Sequence, residues 1–356
     1  MHNLDRIELI EKIDQRRMRD VIGEFPEHVT QAFALGKDFS LPAHFADVKN
    51  IVFCGMGGSA IGAETLSFYL RKELELALYV NRDYTLPGFV DKDCLVILLS
   101  YSGNTEETLS AYKEARAKGA KIVVITSGGE AAALAEKEGH PCLLIPQGFP
   151  PRGALAFLCF PVLALFSRIG LIGDKEKDVT ETISLLEKLK NESLGIDVRS
   201  EVNPAKKLAL RLFDKFCVIY AAAEHLSAVV TRWRGQLAEN SKALSSSHLL
   251  PEMNHNEIVG WQHPHKLLKS FVALILRDKE DHPQVKKRIE INKEILQKEG
   301  MMLEEVYSNG EGLLARTFSL IYTGDYVSFY LAILNKEDPT PVKRIDYLKK
   351  RLKEWK

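Results

Sequence analysis

From residue 50 onward, short unbroken apolar runs alternate with longer segments whose apolar residues recur every three to four positions. Runs at 51–54, 95–99, 121–126 and 142–145 have the length of buried strands. Each of the first three meets a Gly/Ser turn, and the periodicity then predicts helices from Ser59, over 106–118 and over 131–138. A strand that is apolar throughout needs cover on both faces. The pattern therefore predicts an α/β fold, a parallel sheet with helices on either side.

The rhythm returns in the second half. Runs at 216–220 and 271–276 and a third beginning at Leu303 match the first set in order, with a helix predicted after the small residues 221–223. The expected layout is a helical lead-in over 1–49, a first unit over 50–173, a charged helical connection over 174–212, a second unit over 213–335, and a C-terminal helix over 336–356. The lead-in carries helical spacing at Ile7, Ile10, Ile13 and Met18, then a connection marked by Pro26 and Pro42. The stretch 245–257 reads as a fixed polar loop, and 278–305 as a charged insertion.

Composition narrows the function. The chain is 46% apolar, and its 48 basic and 48 acidic residues give a formal net charge of zero. No electrostatic argument for a nucleic-acid or anionic membrane partner survives that balance, although one small anion needs only a local positive site. The most apolar run, 154–166, is too short to cross a bilayer and is broken by Pro161, and the N-terminal residues lack an apolar signal core. The expectation is a cytoplasmic protein. Its five cysteines lie in or beside apolar runs without a C-x-x-C pair and read as buried thiols.

Candidate chemistry gathers first at the turns. Gly55-Met-Gly-Gly-Ser-Ala-Ile-Gly62 separates a strand from a helix. Gly57 and Gly58 allow close backbone approach, a helix start offers unpaired N–H groups, and Ser59 adds a hydroxyl. Ser100-Tyr-Ser-Gly-Asn-Thr105 repeats the device, with Ser100, Ser102 and Thr105 around Gly103. Either loop alone could simply cap a helix. Two at successive strand ends predict one phosphate cradle. A dinucleotide fingerprint fits less well: the glycine spacing matches loosely, and no clear acid closes the next strand. The corresponding turns of the second unit are Ala-rich or charged, so only the first unit carries a cradle.

Further along, Arg152 is fixed between Pro151 and Gly153, just past a strand end. Glu239 stands beside Asn240 and Ser241 rather than in an ion-pair ladder. His255 is flanked by Asn254, Asn256 and Glu257. A capping arginine and a solvated helix glutamate are the plain alternatives for the first two. His248, His255, His263 and His265 lack the i, i+4 spacing of a helical metal site, so no metal and no cofactor is expected. The C-terminal helix is amphipathic and basic, and its lysines read as a solvated face.

Together, Gly57-Gly58-Ser59, Ser100-x-Ser102-x-x-Thr105, Pro151-Arg152-Gly153, Gln236-x-x-Glu239-Asn240, Asn254-His255-Asn256-Glu257 and the segment from Pro339 to Lys349 resemble the bifunctional phosphoglucose/phosphomannose isomerases. These belong to the sugar isomerase (SIS) domain superfamily. The resemblance runs from about residue 50 to the C-terminus. It implies two SIS-type domains, a homodimer, and metal-free interconversion of glucose and mannose 6-phosphates with fructose 6-phosphate. It implies that Gly57, Gly58, Ser59, Ser100, Ser102 and Thr105 hold the phosphate. Glu239 would be the base, Arg152 would face the enediolate, and His255 would open the sugar ring from the partner subunit. The C-terminal helix over 336–356 would return to the active site, where Lys349 would assist at the ring oxygen, with Lys343 and Lys350 as neighbouring candidates. A sugar-phosphate sensor without turnover, or an isomerase of another phosphosugar, would share the cradle.

Overall fold

The computed structural model describes residues 3–355. Its elements are α1 (Ile7–Ile13), α2 (Met18–Gly23), α3 (Phe25–Asp38), β1 (Asn50–Cys54), α4 (Gly57–Tyr69), β2 (Ala77–Asn81), β3 (Cys94–Ser100), α5 (Glu106–Ala117), β4 (Lys121–Thr126), α6 (Gly129–Glu138), β5 (Cys142–Leu144), α7 (Leu155–Arg168), α8 (Glu176–Leu189), α9 (Pro204–Leu212), β6 (Phe216–Ala222), α10 (Ala223–Glu239), β7 (Ser245–Leu250), β8 (Phe271–Arg277), α11 (Pro283–Lys298), β9 (Met302–Tyr307), α12 (Leu313–Leu334) and α13 (Lys343–Glu354).

Two all-parallel sheets form, ordered β2-β1-β3-β4-β5 and β7-β6-β8-β9. The second repeats the first four positions of the first, so the faint sequence repeat is a repeat of topology. The order reverses beside β1 and beside β6. In open parallel sheets such a reversal leaves a crevice at the carboxyl ends of the strands. The inner strands are apolar throughout because helices cover both faces; β3 is buried along its whole length. One apolar core continues through both units, with α4, α7, α10 and α12 between the sheets.

Four sequence expectations change. The lead-in is three helices rather than one. Asp14, fully buried, turns its carboxylate onto the N–H groups of Met18 (2.7 Å) and Arg19 (3.0 Å). It thereby satisfies donors that a new helix start leaves open, and the chain breaks between α1 and α2. Pro161 does not interrupt its run: α7 is continuous, and every residue from Leu155 to Phe166 is buried. The missing hydrogen bond costs about 3 kcal/mol, which burial at about 2 kcal/mol per large side chain offsets. The 18 residues 151–168 are apolar enough by length and composition to cross a membrane, yet here they are 78% buried within the protein. The stretch 245–257 is partly a strand, β7. It escapes sequence reading because Ser-Ser-Ser-His-Leu-Leu lacks the β-branched signature and is an edge, paired with β6 alone. Lastly, 278–305 is no insertion; it holds α11, the crossover that joins β8 to β9 in register.

The cysteines are free thiols, all buried except the half-buried Cys142. Burial pushes Cys54 and Cys217 up to about 12, so neither is a nucleophile.

Candidate active site

α4 begins where β1 ends, and α10 ends beside that beginning. The two helices run antiparallel, with Ser227 near the start of α10 donating to Glu64 on α4 at 3.1 Å. The N-terminus of a first-unit helix thus faces the C-terminus of a second-unit helix. A cleft of about 370 Å³ lies at this junction. From the sequence-predicted set it takes Gly57, Gly58, Arg152 and Glu239.

Arg152 occupies a short 3-10 turn, Pro151–Ala154, against the start of α4. A Cβ on Gly58 would sit 3.3 Å from the Pro151 carbonyl oxygen and 3.4 Å from Arg152 Cα, which is why the position suits glycine. The Arg152 side chain is 4% exposed and fully directed. Nε donates to Asn240 Oδ1 (2.6 Å), Nη1 to Glu239 Oε2 (3.3 Å), and Nη2 to the carbonyls of Pro339 (2.6 Å) and Thr340 (2.9 Å). Burial pulls its pKa below the ordinary guanidinium value, against the opposing charge of Glu239. The adjoining Glu239 and Asn240 therefore meet one guanidinium, so neither the capping arginine nor the solvated glutamate describes them.

Beneath this pair lies a buried polar frame. Arg232 binds Asp325 through two hydrogen bonds, Nε at 3.0 Å and Nη2 at 2.6 Å, and donates to the Arg152 carbonyl at 3.2 Å. Gln236 donates to Asp325 (2.8 Å), and Asn240 donates to Ser328 Oγ (2.9 Å). The frame fixes the α10 register that presents Glu239. Each polar group in it has a partner, the condition under which a buried network gives rigidity rather than cost.

At the carboxyl ends of β1 and β3 stand the two loops predicted to form the cradle. Ser59 and Ser100 are buried, Thr105 half-buried and Ser102 exposed; Ser100 Oγ lies 3.3 Å from Thr105 Oγ1. Gly103 adopts φ +66°, and a Cβ there would come within 1.8 Å of the Gly128 carbonyl oxygen, so this loop closes only with glycine. These four hydroxyl side chains share the strand edge with Gly57 and Gly58 but lie outside the lining of the cleft itself.

The structure does not bring His255 or Lys349 to the cleft of their own chain. His255 is exposed on a 3-10 turn after β7. Its loop is pinned by Glu257, which accepts from Tyr220 Oη (2.5 Å) and faces His248 Nδ1 (2.5 Å); Trp261 Nε1 in turn donates to Tyr220 Oη (2.9 Å). His248 is therefore set against a carboxylate rather than standing as a lone surface histidine. Lys349, like Lys343 and Lys350, lies on α13, none of whose residues is buried. What returns to the site is the strap 339–340, not the helix after it. Sequence reading missed Arg82, which lines the cleft from the end of β2 while held by Glu64 (2.5 Å), and Arg234 and Asp325. Arg82 carried a signal, since it follows a strand end as Arg152 does. Asp325 carried none, being one polar residue within an apolar helix.

Among the described residues no group of three or more His, Cys, Asp or Glu could hold a metal ion.

Two parallel units of one topology, Gly/Ser/Thr loops at the strand ends of the first, and a carboxylate held against an arginine by the second are the layout of a sugar isomerase domain protein. Residues 44–145 match the SIS domain, and 201–352 match the bacterial phospho-glucose isomerase C-terminal SIS domain. A bifunctional phosphoglucose/phosphomannose isomerase of Caldicellulosiruptor bescii is 43% identical over 95% of this chain and all of its own. One from Aquifex aeolicus is 41% identical over 86% of this chain and 91% of its own. The chain belongs to the bifunctional phosphoglucose/phosphomannose isomerase family and is an isomerase. In fold it also matches a hypothetical protein of Thermus thermophilus, with TM-score 0.73 at 17% identity, covering 98% of this chain and 93% of that one.

Proposed function

We propose that this isomerase interconverts glucose 6-phosphate, and its C2 epimer mannose 6-phosphate, with fructose 6-phosphate through an enediolate, without a metal. The observation that carries the reading is the 3.3 Å contact between Arg152 and the Glu239 carboxylate, at the mouth of α4 and beside the cradle. Aldose–ketose exchange moves one proton between C2 and C1 on one face of the sugar, so a single carboxylate suffices. Glu239 takes the C2 proton and becomes the acid; the electron pair forms the C1–C2 double bond and leaves negative charge on O1. Return of the proton to C1, with the O2 hydroxyl proton passing to O1 as the C2 carbonyl forms, gives the ketose and regenerates the carboxylate. Arg152 offsets the charge that grows on the enediolate oxygens.

Gly57, Gly58, Ser59, Ser100, Ser102 and Thr105 hold the phosphate and orient C1–C2 against Glu239, so that remote binding energy serves the reacting carbons. Since glucose and mannose 6-phosphates differ only at C2, an intermediate free to rotate lets one site serve both. His255 opens the ring from the second subunit of a homodimer; its exposure at a pinned loop, away from its own cleft, supports that reading. Lys349 assists at the ring oxygen in the assembled dimer.

Turnover of fructose 6-phosphate, with glucose and mannose 6-phosphates read separately, tests the proposal. Both products are expected, with rates unchanged after exhaustive chelation. Equal turnover of unphosphorylated fructose, or loss of activity on chelation, would contradict it. A second reading, an isomerase of another phosphosugar, draws on a glucosamine-6-phosphate 4-epimerase of Sulfolobus acidocaldarius, 32% identical over 59% of this chain; the same assay with amino-sugar phosphates decides.

A further inference from the structure

Beyond the end of α10 the chain does something uncommon. Lys242 adopts φ +57°, a left-handed conformation that costs a non-glycine residue roughly 1 kcal/mol. The reversal lets Ala243 N–H donate to the Leu237 carbonyl (3.1 Å) and turns the lysine back along the helix it has just left. Although Lys242 is an exposed residue, its ammonium is committed: Nζ donates to the Glu239 carbonyl at 2.6 Å and to the Pro339 carbonyl at 3.1 Å.

Pro339 is the carbonyl that Arg152 Nη2 also holds, at 2.6 Å. Its two acceptor positions are thus shared by two cations. The contacts close a ring: Glu239 carboxylate, Arg152 guanidinium, Pro339 carbonyl, Lys242 ammonium, Glu239 carbonyl. It begins and ends on one residue and passes through the strap that returns from α12. The last carbonyls of a helix are unpaired and partly negative, so a cation there is favourable on its own account. Capping alone would not require the second bond to the strap.

We infer that Lys242 is a positioning residue: by closing this ring it fixes the angle at which the Glu239 carboxylate and the Arg152 guanidinium meet the reacting carbons. The inference rests on Glu239 being the base. It assigns Lys242 no proton transfer and no contact with substrate.

Three variants separate the amine from the backbone. Lys242→Gly removes the amine and relieves the left-handed backbone; Lys242→Met removes the amine and keeps the strain; Lys242→Arg keeps donors on a positive charge. The expected result is a roughly tenfold fall in kcat for both the glycine and methionine variants, with KM for fructose 6-phosphate unchanged, because the cradle is untouched. Their melting temperatures should diverge, the glycine variant being the more stable, while the arginine variant keeps most of its kcat. Wild-type kcat in Lys242→Gly, a loss expressed in KM, or kcat that follows melting temperature would overturn the inference. Glu239→Gln is measured alongside. If it is inactive while Lys242→Gly is fully active, the positioning role alone fails; if it is active, the base assignment fails and the positioning role with it.

Discussion

Arg152 has five N–H hydrogens, and four contacts within the chain already engage it: Asn240, Glu239, Pro339 and Thr340. These four leave one hydrogen on Nη1, which under the proposed function meets a substrate oxygen. A lysine has three donors on one atom and cannot reach four acceptors spread over a planar fork. Arg152→Lys is therefore expected to lower kcat by about 10²-fold, read by steady-state turnover of fructose 6-phosphate; activity near wild type would show that the fork geometry is immaterial. At this scale the sequence was informative where a residue stands in an unusual local setting. Arg152 sits between Pro and Gly, and Glu239 beside Asn and Ser. It was silent where a residue's meaning comes only from what the fold brings to it. Lys242 looks like any helix-end lysine, and Asp325 like a stray polar residue, until the chain has closed.

Among the elements, the strand ends explain why the anion cradle is proposed for the first unit alone. At the corresponding edge of the second unit the chain places its own carboxylate. Asp278, just past β8, accepts from the Glu280 N–H (2.8 Å), Ser308 Oγ (2.6 Å) and Arg316 Nε (2.9 Å), with His225 Nε2 at 3.3 Å. Burial pushes this carboxyl up, but the His225 imidazole, the Ser308 hydroxyl, the Glu280 N–H and the Arg316 charge outweigh it and hold it well below the usual carboxylate range. A depressed folded-state pKa contributes stability that is present above the unfolded value of about 4 and lost as pH falls through the folded value. Asp278→Asn should destabilise the protein at neutral pH and shrink the difference from wild type as pH drops below about 4, followed by denaturant melts at several pH values. A difference independent of pH would rule out this role. The charged turn Arg-Asp-Lys-Glu-Asp announced the lack of a cradle; that one of its acids fills the space was not legible, because Ser308 and Arg316 lie 30 and 38 residues away. Two of the misread features share a cause. β7 and the α1–α2 break depend on a partner strand and a buried carboxylate, neither of which leaves a periodic trace.

For the whole molecule, the division of labour between the units is the main consequence. The first supplies glycines, hydroxyls and Arg152; the second supplies Glu239, Lys242 and the buried Asp325 frame. Under the proposed function, neither has a complete site. If His255 enters from the partner, the dimer divides the chemistry once more. Glu239→Gln and His255→Ala homodimers would each be inactive, yet a mixed dimer would contain one site with both groups intact. Co-refolding equal amounts should restore about a quarter of wild-type turnover, since half the dimers are mixed and each has one good site of two. No recovery on mixing would place His255 in its own chain's site, and full turnover by the His255→Ala homodimer alone would place it outside the reaction.

The most direct test of the account is the turnover number of Glu239→Gln with fructose 6-phosphate. The substitution keeps the side chain's size and its oxygen for Arg152 but removes the base. The account predicts kcat lower by about 10²–10⁴-fold with KM nearly unchanged; turnover close to wild type would contradict it.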